Sequence, residues 1–599
     1  MDEDHEDFDA IDAAGNAGAS RVYNSRPGCD DHGTHVASIA GGNGFHSADA
    51  GFPAFSLRGH APESEIGDYP HFNGAVQSHH DAIVNDDTDV TNHSYVQSLT
   101  VYDAEAASLD TIVRGDATYD GASIPAIPQV WACGNNGFSV QYDDEEGYYA
   151  VFTSAKNTIS VGGVDTRDGR IYRSSSLGPT FDGRIKPDVV APACNDRIAT
   201  PRVGILAADC NSNAYIEKCG TSMAAPVVSA IIALMMEQYE DTYTAAPNLL
   251  PSTYRAMLIH TARDMIKTEA YPDREFDNPD TNEPVIYHSG PDFATGHGLV
   301  DADAARDIVT KSKQWKEATI GSTGQTHTWC ADVLEGDDQL KVVIAWDDEA
   351  GDTTSGEKTP KLVNDLDLTV EDPTGQELLP WILLPLPLTA TPGDGDRDPI
   401  ETSEVVPARR GRDRRNNVET LTACRPRPGV WKVKVTGHNL PNGNTQPYSL
   451  VSSHPIRDVC FEIVAGICRR YHYRWLCVKG RKLPERIFVR EEMEWVINPE
   501  EPVPIDEICK YVIDCPGCDD PAWGYCDDWM MQIKQVPVDA AVIIFNQKGK
   551  ILVKDTRRSG THALRMSRIR PGDQSYLLIT DPEGMPYQEM LKVKFAVGP

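Results

Sequence analysis

Gly220-Thr-Ser-Met-Ala-Ala-Pro-Val-Val-Ser-Ala-Ile-Ile-Ala-Leu-Met-Met-Glu-Gln-Tyr239 is the stretch whose reading decides the fold of the first half of this chain. From Ser222 to about Tyr239 it is apolar on nearly every face, whereas a surface helix would keep a polar stripe. A helix buried in the middle of a domain is therefore expected, with Ser222 in its first turn. Gly220 allows a tight approach of the backbone into that turn. Around it, short apolar runs at 124–132 (IPAIPQVWA), 158–164 (TISVGGV) and 186–192 (KPDVVAP) alternate with helix-like stretches. That alternation continues to about Val309 and predicts an α/β domain built on a parallel sheet. Its chemistry belongs at strand ends and helix starts.

Beyond about Lys311 the texture changes. Runs of strand character at 340–346 (LKVVIAW), 362–370 (LVNDLDLTV), 429–437 (GVWKVKVTG) and 448–453 (YSLVSS) are separated by Gly, Pro and Asp turns, the pattern of an all-β sandwich. The segment from Thr391 to Asn417 has no periodicity and reads as a long surface excursion. The last region is cysteine-rich and then strand-like. These shifts divide the chain into residues 1–312, 313–455 and 456–599.

The chain has 599 residues, too many for one hydrophobic core. Hydrophobic residues at 40% and charged ones at 24% fit a folded protein. The formal net charge of -35 repels phosphate backbones and anionic membranes, which argues against nucleic acid as a partner. No run of about 18 uninterrupted apolar residues suggests a membrane span. Seven of the 14 cysteines lie between Cys460 and Cys526, a density that points to disulfides and an oxidising, extracellular location. The opening MDEDHEDFD has neither the basic start nor the apolar core of a secretory signal.

Three motifs carry chemistry: DDHGTHVASIAGG at 30–42, WACGNNG at 131–137 and GTSMAAP at 220–226. Alone, HGTH reads as a metal pair or a helix start and GTS as an ordinary N-cap. Together and in this order, the three resemble the subtilisin-like serine proteases. The likeness extends to 154–163 (SAKNTISVGG) and 174–192 (SSSLGPTFDGRIKPDVVAP), roughly the first half of the chain. It implies a subtilisin-like parallel-sheet catalytic domain that cuts protein or peptide substrates, with His32 as base and Ser222 as nucleophile. The amide of Ser222 and the side chain of Asn135, after Gly134, would form the oxyanion hole. Ser94, in NHSYV at 92–96, matches the strand that lines the pocket for the residue before the cut bond, although Val96 stands where the family usually has glycine. His35 is expected to be structural, and Cys133 and Cys219 buried or disulfide-bonded. Cys210 and Cys219 are candidates to pair with each other.

One family residue is missing. The catalytic aspartate usually sits in a D-T-G turn some tens of residues before the histidine, and no such turn precedes His32. The opening residues resemble the segment just after that turn, so the catalytic Asp is expected upstream of Met1. Asp30 and Asp31 receive no triad role. The alternative is a catalytically impaired pseudoprotease acting as a peptide-binding or adhesion protein.

The segment 362–375 (LVNDLDLTVEDPTG), with 414–437, resembles the β-sandwich that comes after the catalytic domain in one branch of the family. Catalysis would require no cofactor, but the resemblance leaves room for structural calcium at Asp143 to Glu146, Asp347, Asp348, Asp365 or Asp367. Solvated acidic loops are the simpler reading of these residues. Cys515 and Cys518, with Cys509 and Cys526, read as disulfide partners before zinc ligands. The odd cysteine count in the last region leaves one thiol free or paired elsewhere in the chain.

Overall fold

A computed structural model describes most of residues 1–460. The stretches 96–100, 138–150, 195–203, 267–288 and 384–407 and several shorter ones lie outside the described residues, and beyond 460 only backbone strands are described. In the first unit, strands Val189–Cys194, Ile159–Asp165, Gln129–Ala132 and Thr91–His93 lie side by side in that order, all parallel. Both faces of a parallel sheet are covered, and the middle strands are correspondingly buried along their whole length.

Among the described residues the unit has six α-helices: α1 (Asp31–Gly41), α2 (Ala75–His80), α3 (Ala104–Arg114), α4 (Thr221–Thr242), α5 (Pro251–Thr261) and α6 (Ala302–Val309). α4 packs on all four of the parallel strands and on α1 and α6. Its residues from Met223 to Ile232 are all buried, as an all-round apolar helix requires. By length and composition this 22-residue helix could cross a membrane. Here 67% of its most apolar window is buried inside the protein, so it is a core helix.

The second unit is a sandwich of two antiparallel sheets. One is ordered Trp315–Ile320, Gln446–Ser452, Gln339–Ala345, Val418–Cys424. The other is ordered Glu377–Leu378, Asp365–Glu371, Gly429–Asn439, Thr326–Val333, Ile456–Arg457. Along Gly429–Asn439 Trp431, Val433 and Val435 point into the core. Lys432 and Lys434 alternate outward and pair with Glu371. Beyond it lie two further four-stranded antiparallel sheets, from Glu462–Val478 to Leu591–Lys594. Cys460, at the junction, pairs with Cys330 in the sandwich, so one cysteine of the odd seven finds its partner outside the last region. The other six, including Cys509, Cys515, Cys518 and Cys526, have no described side chains.

The first two units share one core. Val343, Ala345, Val418 and Val451 of the sandwich belong to the same apolar cluster as α4 and α5. Beside it runs a buried polar seam, where Lys156 donates to Asp348 at 2.5 Å, both side chains fully buried. Asn157 exchanges hydrogen bonds with the Asp348 backbone in both directions, at 2.8 Å each. The stretch 408–417 corrects the expectation of a surface excursion. Asn417 bonds Asn157 at 2.8 Å, Asn416 accepts from the Ile185 amide at 2.8 Å, and Asp413, Asn416 and Asn417 are buried.

The carboxylates considered for calcium are engaged within the protein. Asp348 holds Lys156 and accepts from the amides of Val363 and Asn364. Asp365 and Asp367 take Arg412 and Arg414, and Asp347 accepts from the Ser252 amide. Asp143 to Glu146 lie outside the described residues.

Candidate functional site

The site is built from two helix starts and one strand end. α4 begins at Gly220, whose φ of 146° is a conformation that residues with a Cβ rarely adopt. A Cβ there would also stand 3.2 Å from Asn135 Nδ2. Ser222, the second residue of α4, is half-buried and lies among the amide groups that have no partner within the helix.

Four residues on, Pro226 lacks an N–H, so the Ser222 carbonyl loses its helical donor. Ser94 Oγ fills that role, donating to the Ser222 carbonyl at 2.8 Å. In return Ser222 Oγ donates to the Ser94 carbonyl at 3.1 Å. Ser94 is buried and receives Asn92 Nδ2 at 3.0 Å. Its side chain therefore braces α4 and does not open toward solvent. This role was missed in the sequence, where the Ser222-to-Pro226 spacing was its only signal. Val96 lies outside the described residues.

Asn135 comes after the strand Gln129–Ala132. Its Oδ1 accepts from the Thr221 amide at 2.8 Å and from Thr221 Oγ1 at 3.1 Å. With the oxygen fixed this way, the Nδ2 end of the amide is left to donate. Gly134 is buried at φ 113°, and a Cβ there would meet the Phe152 ring at 2.5 Å. Its N–H and carbonyl both meet Thr221 Oγ1. Cys133 is buried beneath this turn, and burial pushes its thiol up to about 12, so it is inert.

His32 is the second residue of α1 and keeps an exposed edge. Asp30 caps this helix, accepting from the amides of His32 at 3.2 Å and Gly33 at 3.0 Å. Desolvation holds the His32 imidazole below its ordinary pKa, opposed by Asp30 and reinforced by Lys218. Among the described residues no hydrogen bond reaches either ring nitrogen. His35, one turn on, lies buried with Nε2 against the carbonyls of Ile205 at 2.9 Å and Ile216 at 3.1 Å. Burial lowers its pKa to about 4.

A disulfide lies three residues before each helix-start residue: Cys29–Cys210 ahead of His32, and Cys194–Cys219 ahead of Ser222. The expected pairing of Cys210 with Cys219 is thus replaced. Cys219 comes after the strand Tyr215–Lys218 and meets the end of the strand Val189–Cys194, while Cys210 lies toward α1.

A model of the subtilase family (Peptidase_S8) matches residues 3–298. The chain is 27% identical over 293 residues to the serine protease/ABC transporter B family protein tagA of Dictyostelium discoideum, covering 46% of this chain and 15% of that protein. It is 25% identical over 268 residues to tagD of the same organism, covering 38% and 14%. With C5a peptidase of Streptococcus pyogenes serotype M3 it shares 41% identity over 133 residues, 20% of this chain and 10% of the other. The chain thus spans 15% or less of the length of these relatives. Among solved structures, proteases from Pseudoalteromonas arctica match with a TM-score of 0.31 and 20% identity over 51% of this chain and 77% of theirs. The patellamide maturation protease PatG matches with a TM-score of 0.31 and 18% identity over 47% and 68%.

Proposed function

This chain belongs, through its first half, to the subtilase family of serine peptidases, and on that premise we propose that it is an endopeptidase working through an acyl-enzyme on Ser222. In this reading His32 takes the Ser222 proton and returns it to the leaving amine. The Ser222 amide and Asn135 Nδ2 receive the oxyanion, while the Ser94 strand and Gly134 flank the acyl part of the substrate. The reaction moves protons and acyl groups only, so it calls for no cofactor. The observation that carries the reading is the pair of Thr221 bonds to Asn135 Oδ1, which present the amide's donor end beside the first turn of α4.

The imidazole also needs an acceptor on its second nitrogen. The family resemblance implies a carboxylate there, and among the described residues none is hydrogen-bonded to the ring. In subtilisin itself, loss of that carboxylate costs about 3 × 10⁴ in kcat, because the imidazole loses its orienting partner. Three disulfides among the described residues support an oxidising, extracellular setting.

A second reading, the pseudoprotease, is favoured by the Ser222 hydroxyl bonding to the Ser94 carbonyl and by a His32 ring that has no hydrogen bond among the described residues. Protein expressed from the complete reading frame and treated with a fluorophosphonate separates the two. Modification at Ser222, absent in Ser222→Ala, supports the peptidase. A folded protein that takes up no label overturns it and leaves the pseudoprotease.

A further inference from the structure

The irregular segment from Phe152 to Asn157 joins the oxyanion turn to the sandwich. At one end the Phe152 amide donates to the Cys133 carbonyl at 2.9 Å, and Thr153 Oγ1 donates to the Ala132 carbonyl at 3.1 Å. The Phe152 ring lies directly behind Gly134. In the middle, Ser154 Oγ donates to the Val101 carbonyl at 2.8 Å, seven residues after Ser94. At the other end Lys156 Nζ donates to Asp348 Oδ2 and to the carbonyls of Glu349 and Lys361, all three from the sandwich side. A buried segment without helix or strand has its geometry set by such outside partners.

We propose that Asp348 and Lys156 are positioning residues for catalysis: the sandwich, through this buried ion pair, holds the 152–157 segment and thereby the Cys133–Asn135 turn that aims the oxyanion donor. This goes beyond stabilisation of the fold, and it rests on the reading of Asn135 as oxyanion donor. An amide displaced by even a fraction of an ångström binds the transition state less well while leaving ground-state binding almost untouched.

The test is Asp348→Asn in the full chain, assayed on a peptide anilide below its melting temperature, alone and combined with Asn135→Ala. Expected is a fall in kcat of about 10- to 100-fold with KM within about twofold. In the Asn135→Ala background the further loss should be under about threefold, because the donor it aims is already gone. An unchanged kcat, or the same factor in both backgrounds, overturns the proposal. Should Asp348→Asn fail to fold, Lys156→Met serves instead, since it leaves the Val363 and Asn364 amides on Asp348. Hydrogen exchange provides a readout independent of turnover: the Phe152 and Gly134 amides should exchange faster in either variant, and unchanged exchange there overturns the coupling. A wild-type chain that takes no fluorophosphonate would refute the peptidase reading, while exchange still decides whether the pair holds the turn.

Discussion

Replacing Ser94 by alanine should remove the donor that substitutes for the missing N–H of Pro226. The Ser222 carbonyl, partly buried, would be left without a partner, at a cost of about 1–3 kcal/mol. The same change strips Asn92 Nδ2 of its acceptor, which adds to the loss but has nothing to do with proline. A double-mutant cycle separates the two effects. In Pro226→Ala the backbone N–H returns and can bond the Ser222 carbonyl within the helix, so Ser94→Ala should there cost only the Asn92 part. Urea unfolding of the four proteins should give a coupling of about 1 kcal/mol or more, with Ser94→Ala milder in the Pro226→Ala background. The kcat of Ser94→Ala should fall as well, since the first turn of α4 carries the proposed nucleophile. Equal destabilisation in both backgrounds would refute the argument that proline created the need for this serine.

Thr221→Val removes one of the two donors on Asn135 Oδ1 and orphans the Gly134 N–H, so kcat should fall about 10-fold. A normal kcat in that variant, measured beside a deficient Asn135→Ala, would show that the Thr221 amide alone fixes the side chain. Peptide mapping without reduction should recover Cys29–Cys210 and Cys194–Cys219, with no Cys210–Cys219 species. Deleting Cys194–Cys219 as a double serine variant should cost about 2–4 kcal/mol by denaturant titration. Glu419 is buried with one oxygen that has no partner among the described residues, and burial, then Asp413, raises its pKa well above the usual range. Such a group stabilises the fold in acid and loses that contribution as pH rises through its folded pKa. Glu419→Gln should therefore flatten the loss of melting temperature toward alkaline pH, and a steeper loss would refute this.

The periodicity of Ser222 to Tyr239 and the alternating runs around it were enough to read the α/β unit, since helix burial and strand spacing are local signals. The sandwich was legible for the same reason, as in Gly429–Asn439. The polar seam was not. Lys156 and Asp348 lie 192 residues apart, and nothing in either neighbourhood says that a lysine will be buried. Asn416 and Asn417 sat in a stretch without periodicity, where composition suggested surface and tertiary contacts decided otherwise. Cysteine pairing failed in the same way: Cys210 and Cys219 were candidates for each other, while the strand Tyr215–Lys218 carries them toward different neighbours. Residue types and order pointed to His32, Asn135 and Ser222 as candidates, but the support given by Ser94 and Thr221 depends on backbone groups that have no letter in the sequence.

The two disulfides beside the helix starts have a consequence for survival among peptidases. Helix ends are where native proteins open first, and an opened turn can enter another molecule's cleft as substrate. Cross-links at Cys29 and Cys219 suppress that opening where His32 and Ser222 reside. Cleavage is then steered to other loops, and a nicked molecule keeps the segments that carry His32 and Ser222 tethered in place.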